Sequence, residues 1–151
     1  MDITKRKENF NVLLIEDNHA DIRMTQEIFK EFKTKTILHV VYNGVEALKF
    51  LNKEEKYQNR VNLDLILLDL NIPLINGFEV LKEIKANETL KNIPVIVLTT
   101  SKNKEDFLKA QELEADCFIT KPLYYSEYNH VLKHIEECWL EIKLSSTFDV
   151  D

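Results

Sequence analysis

The stretch Leu63 to Pro73 leaves few folds open to this chain. Its middle, Leu65-Ile66-Leu67-Leu68, is an unbroken aliphatic run flanked by Asp64 and Asp69. Such a run suits a strand covered on both faces, as in a parallel sheet packed between helices, better than a half-exposed antiparallel strand. Asp69 then falls at the carboxyl end of that strand, the edge where open α/β sheets carry their ligands. On its own it reads as a turn-initiating aspartate. Its meaning depends on what other strands bring to the same edge.

Asn11 to Ile15 reads as a second buried strand, broken at once by Glu16-Asp17-Asn18. From His19 to Phe32 apolar residues recur at helical spacing, with Asn18 as a plausible cap. Thr36 to Tyr42 is rich in β-formers, and Asn43-Gly44 turns it into a helix with Val45, Leu48 and Leu51 on one face. Residues 52–62 are nearly all polar and predict a surface connection into the central strand. Asn76-Gly77 opens a helix reaching roughly Asn87. Pro94 introduces the buried strand Val95 to Leu98, which runs into Thr99-Thr100-Ser101. A helix over Lys102 to Glu114, a short strand Cys117 to Thr120 ending in Lys121-Pro122, and a long helix from Tyr125 to about Lys143 complete the pattern. A strand about every 25 to 30 residues is the rhythm of repeated βα units, so the expected class is α/β with a doubly wound parallel sheet. Residues 1–10 are expected to be an N-terminal extension, 11–143 the domain, and 144–151 a frayed tail.

At 151 residues the chain fits one domain, and 44% hydrophobic with 30% charged residues is ordinary for a globular protein. A net charge of −6 excludes the basic footprint of a nucleic-acid binder. The charged first residues lack a secretory core, and no apolar run approaches a membrane span, which predicts a cytoplasmic protein. Cys117 and Cys138 lie in apolar patterns without metal-ligand spacing and are expected to be buried free thiols.

Just past the strands stand Glu16-Asp17, Asp69, Thr99 and Lys121. In a parallel sheet those ends share one edge. Carboxylates crowded there repel one another unless a cation joins them, and all-oxygen ligands suit a hard ion such as Mg2+. Mg2+ keeps positions open for phosphoryl oxygens, while Lys121 adds positive charge and Thr99 a hydroxyl donor. The set fits phosphoryl transfer onto Asp69. His130 and His134, spaced i, i+4, have no evident third ligand and read as an exposed polar face.

These residues, in this order, resemble the receiver domain of two-component signalling, the CheY-like response regulator family, over roughly residues 10–142. The resemblance is carried by Glu16-Asp17, Asp69-Leu70-Asn71-Ile72-Pro73, Gly77, Thr99 and Lys121-Pro122. It implies a flavodoxin-like sheet of five parallel strands in the order 2-1-3-4-5 with helices on both faces. It further implies that Asp69 is the phosphoacceptor, that Asp17 binds Mg2+ directly, Glu16 through water and Asn71 through its carbonyl, and that Thr99 and Lys121 contact the phosphoryl group. The partner implied is a sensor histidine kinase. The Glu-Asp-Asn start, the Leu-Thr-Thr-Ser run and Trp139 are similar to small regulators paired with bacterial phytochromes. Phe118 stands where the family often has a switching aromatic; a plain core phenylalanine is the alternative.

Two other readings compete. An aspartate-nucleophile phosphatase of the haloacid dehalogenase kind would need Asp where Asn71 stands, because the amide cannot trade protons. An unphosphorylated adaptor would be expected to lack the acid pair, Asp69 or Lys121, and all are present. The chain is therefore expected to be a phosphoacceptor with at most slow self-dephosphorylation, not a turnover enzyme. The last helix offers Tyr125, Tyr128, Trp139 and several aliphatics, a stripe wider than one packing seam, which predicts a homodimer through that helix with output set by changed association.

Overall fold

The computed structural model describes residues 9–148 apart from residue 33. Five strands, β1 (Phe10–Ile15), β2 (Thr36–Val41), β3 (Leu65–Leu68), β4 (Val95–Thr99) and β5 (Cys117–Thr120), alternate with helices α1 (His19–Phe29), α2 (Gly44–Leu51), α3 (Gly77–Ala86), α4 (Lys104–Glu112) and α5 (Tyr128–Phe148). The strands form one parallel sheet in the order β2-β1-β3-β4-β5. The doubly wound α/β class and the implied strand order are both observed. Among the described residues no helix is long and apolar enough to cross a membrane.

The aliphatic runs are two-faced because alternate side chains leave a strand on opposite sides. Leu13, Ile15, Ile66, Leu68, Val95 and Val97 pack on one face beneath α2, α3 and α4, through Ala47, Phe50, Val80, Leu81, Ile84 and Ala110. Val12, Leu14, Leu65, Leu67, Ile96 and Leu98 pack on the other beneath α1 and α5, through Ile22, Ile28, Val131, Leu132 and Ile135. All four residues of β3 are fully buried, as its composition requires. Each such side chain removed from water contributes about 1.5–3 kcal/mol.

The turns at the carboxyl edge are built from asparagine and glycine. Asn18, Asn43, Asn76 and Asn103 cap α1 to α4, each side-chain oxygen accepting a backbone N–H of the first turn. A cap of this kind is worth about 1 kcal/mol and fixes where each helix leaves the edge. Both glycines press on the loop after β3. A Cβ on Gly77 would lie 2.5 Å from the Asp69 carbonyl oxygen, and one on Gly44 would lie 2.0 Å from that of Ile75. The loop carrying Asp69 is thus held on two sides at distances that admit no side chain.

Two expectations change. The last helix begins with a short 3-10 turn over Tyr125–Glu127 and continues past Lys143 to Phe148, so part of the expected tail is helical. Residues 1–8 and 149–151, to which the rest of the expected extension and tail belong, lie outside the described residues. The cysteines are also not free: Cys117 and Cys138 form a disulfide, with their Cα atoms 6.3 Å apart. Cys117 leaves β5 on the α5 side, and Cys138 stands one turn beyond Ile135 on the face that packs there. Both are half-buried, so the bond staples α5 to the edge strand of the sheet. Cross-linking a loop of this length stabilises by about 3 kcal/mol in the chain-entropy model. Urea unfolding with and without dithiothreitol should show a loss of that order on reduction, and Cys138→Ser should be insensitive to the reductant.

Candidate functional site

Strand register brings the polar residues together. Ile15 pairs with Leu68, so Glu16 and Asp69 emerge side by side, and the Asp69 N–H donates to the Ile15 carbonyl at 3.1 Å. Thr99 pairs with Thr120, and the Lys121 N–H donates to the Thr99 carbonyl at 2.7 Å. Carboxylate oxygens of Glu16, Asp17 and Asp69 lie within 4.8 Å of one another, the only such group of possible metal ligands among the described residues. Glu16, Asp69, Thr99 and Lys121 are buried while Asp17 is exposed, which leaves the cluster open on the Asp17 side.

Lys121 binds the acids into one unit. Its ammonium donates to Glu16, to Asp21 at 2.8 Å and to Asp69 at 3.0 Å, while only 2% of its side chain is exposed. Burial disfavours that charge, yet Asp69, Asp21 and Glu16 together outweigh it and hold the ammonium above the ordinary lysine range. Burial pushes the Glu16 carboxyl up to about 7 against the opposing pull of Lys121, and the Asp69 charge adds to the rise. One buried ammonium therefore does not neutralise this set of acids. Convergent oxygen donors that still carry excess negative charge are what a divalent cation needs.

The other expected residues take distinct places. The Asn71 N–H turns back to Asp69 Oδ1 at 3.1 Å, holding the carboxylate from the loop side. Leu74, further along this loop, is exposed with a left-handed φ of 72°. The Thr99 hydroxyl accepts the Ser101 N–H at 3.3 Å, and the Ser101 hydroxyl donates to Asp106 on α4 at 2.6 Å. Phe118 is half-buried with its ring edge-on to Phe107 of α4, 5.3 Å between centroids. His130 and His134 are exposed, as expected.

Sequence reasoning missed Asp21 and Tyr128. Asp21 sits in the first turn of α1, where an acid is favoured by the helix dipole, so its position alone carries no sign of a site. Tyr128 fits the apolar stripe of α5 and is buried, but its hydroxyl meets Asp21 Oδ1 at 3.4 Å. Burial, with the charge of Asp21, pushes its phenol up to about 12.

Residues 12–133 match the model of the response regulator receiver domain. The chain belongs to that family. It is 44% identical over 133 residues to response regulator Rcp1 of Synechocystis sp., covering 86% of this chain and 88% of the relative. The crystal structure of the phosphorylated cyanobacterial phytochrome response regulator RcpA superposes with a TM-score of 0.83 at 44% identity, covering 87% of this chain and 94% of that one. The Mn2+-bound form of Rcp1 superposes at 0.81 with 42% identity, covering 87% and 95%. As a receiver domain the chain is a phosphoacceptor of two-component phosphorelay signalling.

The lysine at the centre of this receiver site makes a direct prediction. Removing one partner of a buried ion network leaves the others uncompensated, at a cost of about 3–5 kcal/mol. Lys121→Ala should lose stability of that order in urea titrations without metal, and added Mg2+ should recover part of it. A variant as stable as the parent would contradict a structural role for this ammonium.

Proposed function

We propose that Asp69 is the phosphorylated residue of a single-domain response regulator spanning residues 11–143, with Glu16, Asp17, Asp69 and the Asn71 carbonyl as the Mg2+ site. The observation that carries the reading is the convergence of the Glu16, Asp17 and Asp69 oxygens within 4.8 Å, bridged by a buried Lys121. All-oxygen donors favour a hard cation. When bound, Mg2+ supplies positive charge that offsets repulsion between the carboxylates and an incoming phosphoryl group.

The donor is a phosphohistidine of a sensor histidine kinase. An Asp69 carboxylate oxygen attacks phosphorus, the phosphorus–nitrogen bond breaks, and the imidazole nitrogen keeps the electron pair and takes a proton. Lys121 and the Thr99 hydroxyl donate to the phosphoryl oxygens, where charge is spread in the transition state. Similarity to RcpA, a phytochrome response regulator, supports a phytochrome-like kinase as partner. Asn71 at the position of a phosphatase acid weighs against turnover of external phosphate esters.

With acetyl phosphate and Mg2+, intact-mass measurement should show a single phosphoryl adduct, lost in Asp69→Asn. Undiminished labelling of that variant would overturn the assignment.

Output is proposed to pass through a homodimer on the last helix, but the contact differs from the one the aromatic stripe suggested. Trp139 lies edge-on to Phe10, 4.9 Å between centroids, and Tyr128 faces Asp21, so both are committed within the chain. Among the described residues of α5 and α4, Leu140, Leu144, Phe107 and Leu108 are exposed apolar side chains. Sedimentation across protein concentration should detect self-association weakened in Leu140→Glu and altered by beryllofluoride, a phosphoryl mimic. A monomer at every concentration in both states would rule out the dimer.

A further inference from the structure

A lysine ammonium has three N–H donors, and those of Lys121 are all engaged, by Glu16, Asp21 and Asp69. The three acceptors are not equivalent. Glu16 and Asp69 belong with Asp17 to the converging oxygen cluster, and Asp21 does not. A cation seated in the cluster and a phosphoryl group on Asp69 both compete with Lys121 for the carboxylates of Glu16 and Asp69. Only Asp21 remains as an uncontested anchor for the ammonium.

Asp21 is built for that task. It accepts Lys121 through Oδ2 at 2.8 Å and faces the Tyr128 hydroxyl through Oδ1 at 3.4 Å. Its N–H donates to the capping oxygen of Asn18 at 3.0 Å, and its carbonyl accepts the Thr25 hydroxyl at 2.8 Å. Backbone and both carboxylate oxygens are thus engaged, the last from α5. The flexible four-carbon stem of lysine depends on such a contact to stay aimed.

We propose that Asp21 is the positioning residue that keeps Lys121 directed into the pocket when cation and phosphoryl group take over Glu16 and Asp69, and that Tyr128 orients Asp21 from α5. This rests on the reading of Asp69 as phosphoacceptor and Lys121 as its phosphoryl contact.

Asp21→Asn, Tyr128→Phe and Asp17→Ala should be compared with the parent for phosphorylation by acetyl phosphate at saturating Mg2+, for Mg2+ affinity by calorimetry, and for the Lys121 ammonium resonance in nitrogen-15 NMR with and without Mg2+ and beryllofluoride. Asp21→Asn should lower the maximal rate roughly ten- to a hundredfold, the scale of a reacting group misplaced by about an ångström. Its Mg2+ affinity should not fall, unlike that of Asp17→Ala. The protected ammonium signal expected of the parent in the beryllofluoride complex should broaden in Asp21→Asn. Tyr128→Phe should shift rate and signal the same way by less, and it carries the test alone if Asp21→Asn does not fold. An unchanged rate, or an Mg2+ affinity reduced as far as in Asp17→Ala, overturns the proposal. Phosphorylation of Asp69→Asn would instead refute the underlying reading, while the ammonium signal would still judge the anchor.

Discussion

The ammonium of Lys121 is the interaction on which the site depends. A parallel sheet brings its strand ends to one edge, and in this chain two of those ends, after β1 and β3, together with the first turn of α1, present carboxylates. Without a cation the edge would be a concentration of partly buried negative charge, which desolvation and repulsion both disfavour. Lys121 makes the arrangement tolerable but does not match it in number: one ammonium faces the carboxyls of Glu16, Asp21 and Asp69, with Asp17 beside them. The folded receiver is stable enough to exist and charged enough to draw in a divalent ion.

Holding that edge in shape falls to the backbone. Gly44 and Gly77 are the only two glycines in the sequence, and both are spent on close approach to the loop after β3. The Gly77 N–H donates to the Leu70 carbonyl at 3.0 Å, and the Gly44 N–H to the Pro73 carbonyl at 3.2 Å. Leu74 adopts a left-handed φ in the same loop, a conformation that costs of order 1 kcal/mol outside glycine and persists only where its surroundings impose it. Strain and tight packing therefore fall on the segment that carries Asp69.

The five strands are legible in the sequence because each is an apolar run ended by a polar or turn residue, and the site residues are legible because they stand at those ends. What escapes is anything decided by helix rotation. Cys117 and Cys138 give no sign of pairing, since a separation of 21 residues says nothing of which face of α5 returns over β5. Tyr128 has the apolar body of a core residue, and only the position of α1 shows that its hydroxyl has a partner. Asp21 is hidden for the opposite reason: a first-turn acid is so ordinary that its contact with Lys121 has no signature in sequence. The end of α5 is not legible either, because apolar periodicity fades after Lys143 while the helix continues to Phe148.

Helix α5, packed on the sheet through Val131, Leu132 and Ile135, is also tied to its neighbours at two points of different kinds. Near its start Tyr128 touches Asp21, which holds Lys121; ten residues on, Cys138 is covalently joined to β5. At the rise of an α-helix these points are about 15 Å apart. Between them Val131, Leu132 and Ile135 pack against the sheet, so α5 is held along that length by apolar contact as well as by the two ties. Leu140 and Leu144 lie beyond Cys138 and are exposed. Reduction of the disulfide leaves the packing of Val131, Leu132 and Ile135, the Tyr128 contact with Asp21 and the Trp139 contact with Phe10 among the restraints on α5.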